Sequence, residues 1–339
     1  MSSSTLSSAD LDVFVPHRRS IGEWASWLVN ARSAQVIALI VIIALIGVIK
    51  NPALLSFNTL SIVLVTAMVT AFAALGQTFV LIARGIDLSV SPIVGLAAVM
   101  VGFPAQNSGM RLWEGVLLGI LVGVVLGAGN GLLVAVAKLP PIIATLATFS
   151  IYGGLQFIRT RGDQVNAIPD EYTRWGIVTN RVAGMPPLFW AGVIVMLILV
   201  YVLQFSNFGR TLYAVGANAS EAKRLGISTQ RMVFMAYVIC GLMAGLAGVV
   251  YLCRTGSADS ITGTATNENL FSIAAALVGG ATLTGGRGTA QGAFLGAIFL
   301  AVVTTVMGAI GIPPVWQPAG VGILIVLAVL ADTRTRRKV

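Results

Sequence analysis

Few residues in this chain can do chemistry, and Asp87 is the most conspicuous of them. It lies in Arg84–Gly95, RGIDLSVSPIVG, between two long apolar runs and beside Ser89, Ser91 and Pro92. Gly85-Ile86-Asp87-Leu88-Ser89 reads as a helix start, where a carboxylate accepts from free backbone N–H groups and faces the positive helix end. Direct contact with a polar ligand is the other reading, and the two are compatible. Polar groups and helix breakers at membrane depth are tolerated only where the backbone is buried in protein or lines a wet cavity. The stretch therefore marks a pathway. Little else is chemically equipped. The single histidine, His17, sits in the polar N-terminal tail, and no paired acids stand within apolar runs, so catalysis and zinc binding lack a constellation. Cys240 and Cys253 fall on one apparent span, roughly 20 Å apart along a helix, too far to bond to each other. The glycine cluster Gly279–Gly288, GGATLTGGRG, lacks the Lys-Ser/Thr ending that holds phosphate and magnesium. It reads as a tight turn between packed helices, so ATP hydrolysis would fall to another protein.

The elements that position these residues are membrane spans. Of the 339 residues 57% are hydrophobic and 10% charged, against roughly a quarter charged in soluble domains. The formal charge of +9 is scattered between apolar runs, which excludes a nucleic-acid surface and points to orientation signals. Ten runs are long enough to place as spans: 34–49, 60–83, 88–103, 113–137, 142–158, 188–205, 232–253, 270–283, 290–310 and 319–330. The fold expected is all-α and polytopic, with about ten transmembrane helices, some short or interrupted. Counting Lys and Arg by the positive-inside rule gives roughly two to one in favour of a cytoplasmic N-terminus. Both termini are then cytoplasmic, with tails at 1–33 and 332–339 and a transmembrane domain at 34–331. The tail has no early apolar stretch with a small-residue cleavage site, so no removable signal peptide is expected. Leu81–Val99 and Leu277–Ile298 echo each other as apolar run, small polar cluster and glycine-spaced apolar run, the pattern of an internal repeat.

The longest cytoplasmic connection in this scheme is 207–231, NFGRTLYAVGANASEAKRLGISTQR, and the longest external one is 159–187. Asn218 and Glu221 fit a capping box, and SEAKRLGI then reads as a short helix closed by Gly226. Such a helix between two spans suits docking onto a cytoplasmic partner; on composition alone it is a solvated loop.

GIDLSV, LPPIIATLAT (Leu139–Thr148), NFGRTLYAVGANASEAKRLGI, GGATLTGGRGT and GIPPVWQ (Gly311–Gln317), in that order, resemble the ribose-type permeases of bacterial ATP-binding-cassette importers. The resemblance runs from about Leu55 to Asp332. It implies a bundle of about ten helices in the bacterial cytoplasmic (inner) membrane, surrounded by lipid and paired with a second permease copy or a homologue. It also implies a cytoplasmic ATPase that uses ATP and magnesium, an external solute-binding protein that delivers a sugar, and no cofactor on this chain. Gly216, Asn218, Glu221, Lys223, Arg224 and Gly226 would then belong to the helix that couples to the ATPase. Relatives usually continue the first motif as GIDLSVGS, whereas this chain has Ser91-Pro92. Sugars bind through hydrogen bonds and apolar ring faces, which makes Asp87, Asn130, Thr145, Thr148, Phe149, Asn269 and Phe271 the candidates for the translocation path. Within spans, Thr and Asn also commonly bond to neighbouring helices. Asp87 stands near the inner end of the bundle, where a cap or inner-gate role suits it better than a central sugar site. The competing expectation is an ion-coupled secondary transporter, for which only Asp87 and Glu268 are available as intramembrane acids.

Overall fold

The structure is a computed structural model that describes residues 31–176 and 181–336. Residues 1–30 and 337–339 of the expected tails lie outside the described residues, as does 177–180 of the connection 159–187. Among the described residues there is no β-strand, only two isolated bridges.

Every apolar run carries a helix. In chain order these are α1 (Ala31–Lys50), α2 (Phe57–Ile82), α3 (Val90–Ser108), α4 (Leu112–Gly131, continued by one π turn over Leu132–Val136) and α5 (Pro141–Thr160). After the short α6 (Asp170–Gly176) come α7 (Pro187–Phe205), α8 (Asn207–Ala217), α9 (Ala219–Arg224) and α10 (Thr229–Thr255). The last three are α11 (Glu268–Val278), α12 (Ala290–Ala309) and α13 (Gln317–Arg336). Among the described residues eight helices are long and apolar enough to cross a membrane, and Glu268–Val278 and Pro314–Val326 are shorter apolar helices. The third helix starts at Val90 rather than Leu88, because residues 85–89 are taken up by the turn around Asp87.

The centre of the bundle is α2, α3 and α10, whose side chains are mostly buried. On α4, Gly115, Gly119, Gly123, Gly127 and Gly131 recur every four residues and form one smooth ridge. A Cβ on Gly123 would stand 2.2 Å from the Gly241 carbonyl of α10, and one on Gly127 would stand 2.5 Å from the Tyr237 carbonyl. Small residues let the two backbones touch, which is how helices gain packing energy in lipid, where burial of apolar surface gives no advantage. The outward faces are aliphatic: Leu121 on α4, Ile151 on α5 and Ile194 on α7 are all more than half exposed.

Contacts between connections define two ends of the bundle. At one end Gly286 N–H donates to the Ile82 carbonyl (2.9 Å) and Arg84 reaches α8. At the other, Leu112 N–H donates to Glu171 (3.2 Å), Tyr172 Oη donates to the Arg111 carbonyl (3.0 Å), and Val165 pairs with Ala258. The connections 207–231 and 159–187 thus lie at opposite ends.

One span is discontinuous. The chain leaves α10 at Thr255 and turns through irregular backbone before α11 begins at Glu268. Thr70, halfway along α2, donates its hydroxyl to Glu268 Oε2 (3.0 Å), which fixes the start of α11 at mid-depth. At about 1.5 Å per residue, the 11 residues of α11 span about 16 Å, half of a hydrocarbon core of roughly 30 Å. The eighth run, expected over 270–283, is therefore a half-helix ending at Val278, with Gly279 to Leu283 already in the turn.

Candidate functional site

Three constellations merit attention: the break around Asp87, the junction at the same end of the bundle, and the mid-depth segment before α11.

Asp87 is fully buried. Its Oδ1 accepts from Ser89 N–H (2.9 Å) and Ser89 Oγ (2.7 Å), closing a tight turn just ahead of α3, and Asn130 Nδ2 of α4 donates to Oδ2 (3.2 Å). Asn130 also donates to Ser89 Oγ (2.7 Å). The Gln77 amide of α2, oriented to satisfy both partners, accepts from Asp87 N–H (3.1 Å) and donates to Asp87 C=O (3.2 Å). Next door, the Ile86 carbonyl accepts from Thr145 Oγ1 (3.2 Å) and Tyr237 Oη (3.4 Å). Side chains from α2, α4, α5 and α10 therefore hold the break from all sides. A buried carboxylate without such donors would be very costly. Asp87 is the keystone of a saturated polar knot, and its carboxylate seeds the turn without occupying the N-cap position itself.

Of the residues proposed for the path, Asp87, Asn130 and Thr145 come together in this knot, and Thr148 lies one turn along α5, donating to the Thr145 carbonyl (3.2 Å). Phe149 is half-buried on the same helix, away from the knot's bonds. Asn269 and Phe271 stand elsewhere, at the start of α11. Asn269 N–H donates to Ser91 Oγ (2.8 Å), which in turn donates to Asn269 Oδ1 (3.1 Å). Ser91, the residue at which this chain departs from GIDLSVGS, thus ties the start of α3 to the half-helix.

At the junction, Arg84 takes a left-handed backbone conformation (φ 65°). Its Nε donates to the Gly216 carbonyl (2.6 Å) and its Nη2 to that of Ala217. These are among the last carbonyls of α8, which lack partners inside the helix and carry its negative end. Gly216 is buried against the end of α2, where a Cβ would lie 1.8 Å from the Ile82 carbonyl and 2.7 Å from Gly286 N. Tyr213 Oη donates to the Gly288 carbonyl (2.6 Å), and burial pushes its phenol up to about 12, so it remains a donor. The glycine cluster is the tight turn expected of it, with positive φ at Gly280, Gly285, Gly286 and Gly288. It packs directly on α8.

Beyond this junction α9 is exposed. Asn218 Oδ1 accepts from Ser220 N–H (3.1 Å) and Glu221 N–H (3.3 Å), while Glu221 turns outward to Arg224 (3.0 Å). Only the forward half of the expected capping box forms. Ile227 N–H returns to the Ala222 carbonyl (3.0 Å) with Gly226 at φ 79°, which closes the helix. Lys223, Arg224 and Leu225 project from it, the last 79% exposed.

The mid-depth segment is braced from α5. Gln156 Nε2 donates to the carbonyls of Asp259 (2.8 Å) and Thr262 (3.0 Å). Gly95 of α3 touches the same point.

The family of branched-chain amino acid transport system permease components matches residues 59–329. The chain belongs to this family. It is 35% identical over 309 residues to the autoinducer 2 import system permease protein LsrC of Enterobacter sp. (strain 638), covering 90% of this chain and 88% of the relative. The protein of the same name from Photorhabdus luminescens is 34% identical over 304 residues (89% and 90%). That of Yersinia pseudotuberculosis serotype O:1b (strain IP 31758) is 33% identical over 307 residues (91% and 86%). No solved structure matches the chain. The permease is a multi-pass protein of the bacterial inner membrane and a subunit of an ATP-binding-cassette importer, working with an ATPase and a solute-binding protein. ATP hydrolysis takes place in a partner, and the ion-coupled alternative gives way to this reading.

Sequence reasoning missed Gln77, Arg84, Gln156 and Tyr213. The two glutamines carried a usable signal, since an amide inside an apolar run needs partners. Arg84 and Tyr213 carried none that separates them from orientation charges and interfacial aromatics.

Proposed function

We propose that this permease forms the translocation path for a monosaccharide or similar small polar solute, with autoinducer 2 as the first candidate. The observation that carries this reading is the match of about nine-tenths of the chain to import-system permeases for that compound from three genera. Two permease copies, or this chain and a homologue, would enclose the path. The end bearing α8 and α9 faces the cytoplasm, which agrees with the balance of Lys and Arg between the two ends. There α9, with Lys223, Arg224 and Leu225 outward, docks onto the ATPase, which holds ATP and magnesium while this chain holds no cofactor. The opposite end, with 159–187, receives the solute-binding protein.

The test is uptake into liposomes carrying the permease, its ATPase and its binding protein, with autoinducer 2, pentoses, hexoses and branched-chain amino acids as solutes. ATP-dependent uptake of a sugar-like solute is expected. Uptake by this chain alone on an ion gradient would refute the reading, and transport of amino acids only would reassign the solute. The docking role predicts that reversing Glu221, Lys223 and Arg224 together leaves a folded permease whose uptake is lost while the ATPase still hydrolyses ATP. Undiminished uptake would remove α9 from the coupling surface.

A further inference from the structure

We infer that the inner part of the irregular segment before α11, Gly263 to Asn267, together with the first turn of α11, is the solute-facing wall of the path at mid-depth. Thr264, Thr266 and Asn267 would offer hydrogen bonds there to the hydroxyls of a polyhydroxylated solute. The solute class rests on the proposed function; the position of the wall does not.

Depth comes first. Glu268 is held by Thr70 at the middle of α2, so its neighbours lie about as far from either membrane surface as this bundle allows. Backbone without regular hydrogen bonding cannot face lipid at that level. The segment is nonetheless open on one side: Ala265 and Thr266 are exposed, and Thr264, Asn267 and Asn269 are partly so. The outward faces of α4, α5 and α7 present Leu121, Ile151 and Ile194, whereas here Ile261 and Leu270 are exposed among polar groups. Unbroken lipid contact suits those faces and not this mixed one.

Hydrogen-bond accounting points the same way. The hydroxyl of Thr264 donates to the Ile261 carbonyl (2.8 Å) and keeps its lone pairs free to accept, while that of Thr266, bonded to the Gly263 carbonyl (3.0 Å), also faces the Glu268 carboxylate. Asn267 sits at φ 52°, and its side-chain amide has no partner among the described residues. An open amide at mid-depth needs water or solute. Behind this open edge the segment is fixed by Gln156, by Glu268 on Thr70, and by Asp259 Oδ1, which accepts from Ile261 N–H (3.0 Å) and Thr262 Oγ1 (2.9 Å). One face is anchored and the other is offered, as a passage with weak, replaceable contacts requires.

The test is thiol labelling of Thr266→Cys and Asn267→Cys in the full complex in liposomes, with an impermeant methanethiosulfonate sulfonate applied from either side. The native Cys240 and Cys253 are buried, so the unsubstituted chain is the blank. The reagent attacks thiolates, which form only where water reaches. Both variants should be modified, ATP should change the side from which they are reached, and Ile151→Cys should stay unmodified. Loss of labelling when a transported sugar is present would support contact with the solute. Labelling without sugar protection, in a complex that takes up no sugar, would uphold the wall and overturn the solute class. Absence of labelling at both positions in every nucleotide state would overturn the wall and make the segment a dry contact with the second permease.

Discussion

Two interruptions among the described residues of the membrane domain, the turn at Asp87 and the segment before α11, are opposites. Around Asp87 a charged side chain, a sharp turn and a helix start are buried together, and the carboxylate and its neighbours find partners on α2, α4, α5 and α10. Before α11 the two acids, Asp259 and Glu268, are likewise bonded within the chain, yet Thr266 and Asn267 stand open at mid-depth. A polar residue within a span shows only that something local satisfies it. What distinguishes a passage from a structural knot is whether the satisfaction is complete within the chain. By that criterion the less conspicuous of the two interruptions is the better wall.

Gly95 is where the comparison breaks hardest. It lies on α3, just beyond the Asp87 turn, and presses against the second interruption: a Cβ there would meet the Thr262 carbonyl at 1.9 Å and the Gln156 amide at about 2.5 Å. Backbone cannot yield as a flexible side-chain end would, so Gly95→Ala should cost about 3 kcal/mol, the upper end for overpacking, and abolish uptake. Gly154→Ala on α5 has nothing within 4 Å of the new methyl and should leave both unchanged. Melting in detergent, read beside uptake, checks the pair. A stable, active Gly95→Ala would mean that the segment before α11 is not braced on α3.

Exchanging single polar groups sharpens the contrast. Asp87→Ala removes the acceptor of Ser89 and Asn130 in a closed site and should cost on the order of 3 kcal/mol, with transport lost through stability. Asn267→Gly removes an amide that has no partner among the described residues, and glycine accepts the left-handed backbone at φ 52° that alanine would strain. Its stability should fall by no more than about 1 kcal/mol, while the rate of uptake falls. If Asn267→Gly melts far below the parent and Asp87→Ala transports normally, the assignments of knot and wall must be exchanged.

Most of the fold was legible in the sequence, because ten apolar runs at membrane length leave little choice of element. The half-helix was not. Leu270–Leu283 has the hydropathy of a span, and only the bond from Thr70 to Glu268, almost two hundred residues apart, reveals that it begins halfway down. Asp87 was legible as a helix-start residue; its partners were not, since Gln77 and Asn130 come from other helices. The four-residue spacing of glycines on α4 was in plain view and predicts a close helix contact, though not which helix supplies it. Side-chain openness is what sequence patterning conveys least, so Thr266 carried no sign of its role while Asp87 drew attention to itself.

Arg84, the residue that joins the Asp87 break to α8, matters less to folding than Asp87 does. Its guanidinium is exposed and its partners are two carbonyls at a helix end, so Arg84→Ala should lower stability by only about 1–2 kcal/mol. Its consequence for work is larger than for folding. On the proposed docking of α9, Arg84, Tyr213 and the buried Gly216 are the contacts through which motion of α8 would reach the end of α2 and the glycine turn after α11, and hence both interruptions. Severing the first of these contacts should raise the ATP hydrolysed per solute moved, and Arg84→Lys should restore part of the ratio, because a lysine can reach one carbonyl but cannot bridge two. An unchanged ratio in Arg84→Ala would leave Tyr213 and the packing of Gly216 as the route, and the two interruptions would then be driven from the glycine turn alone.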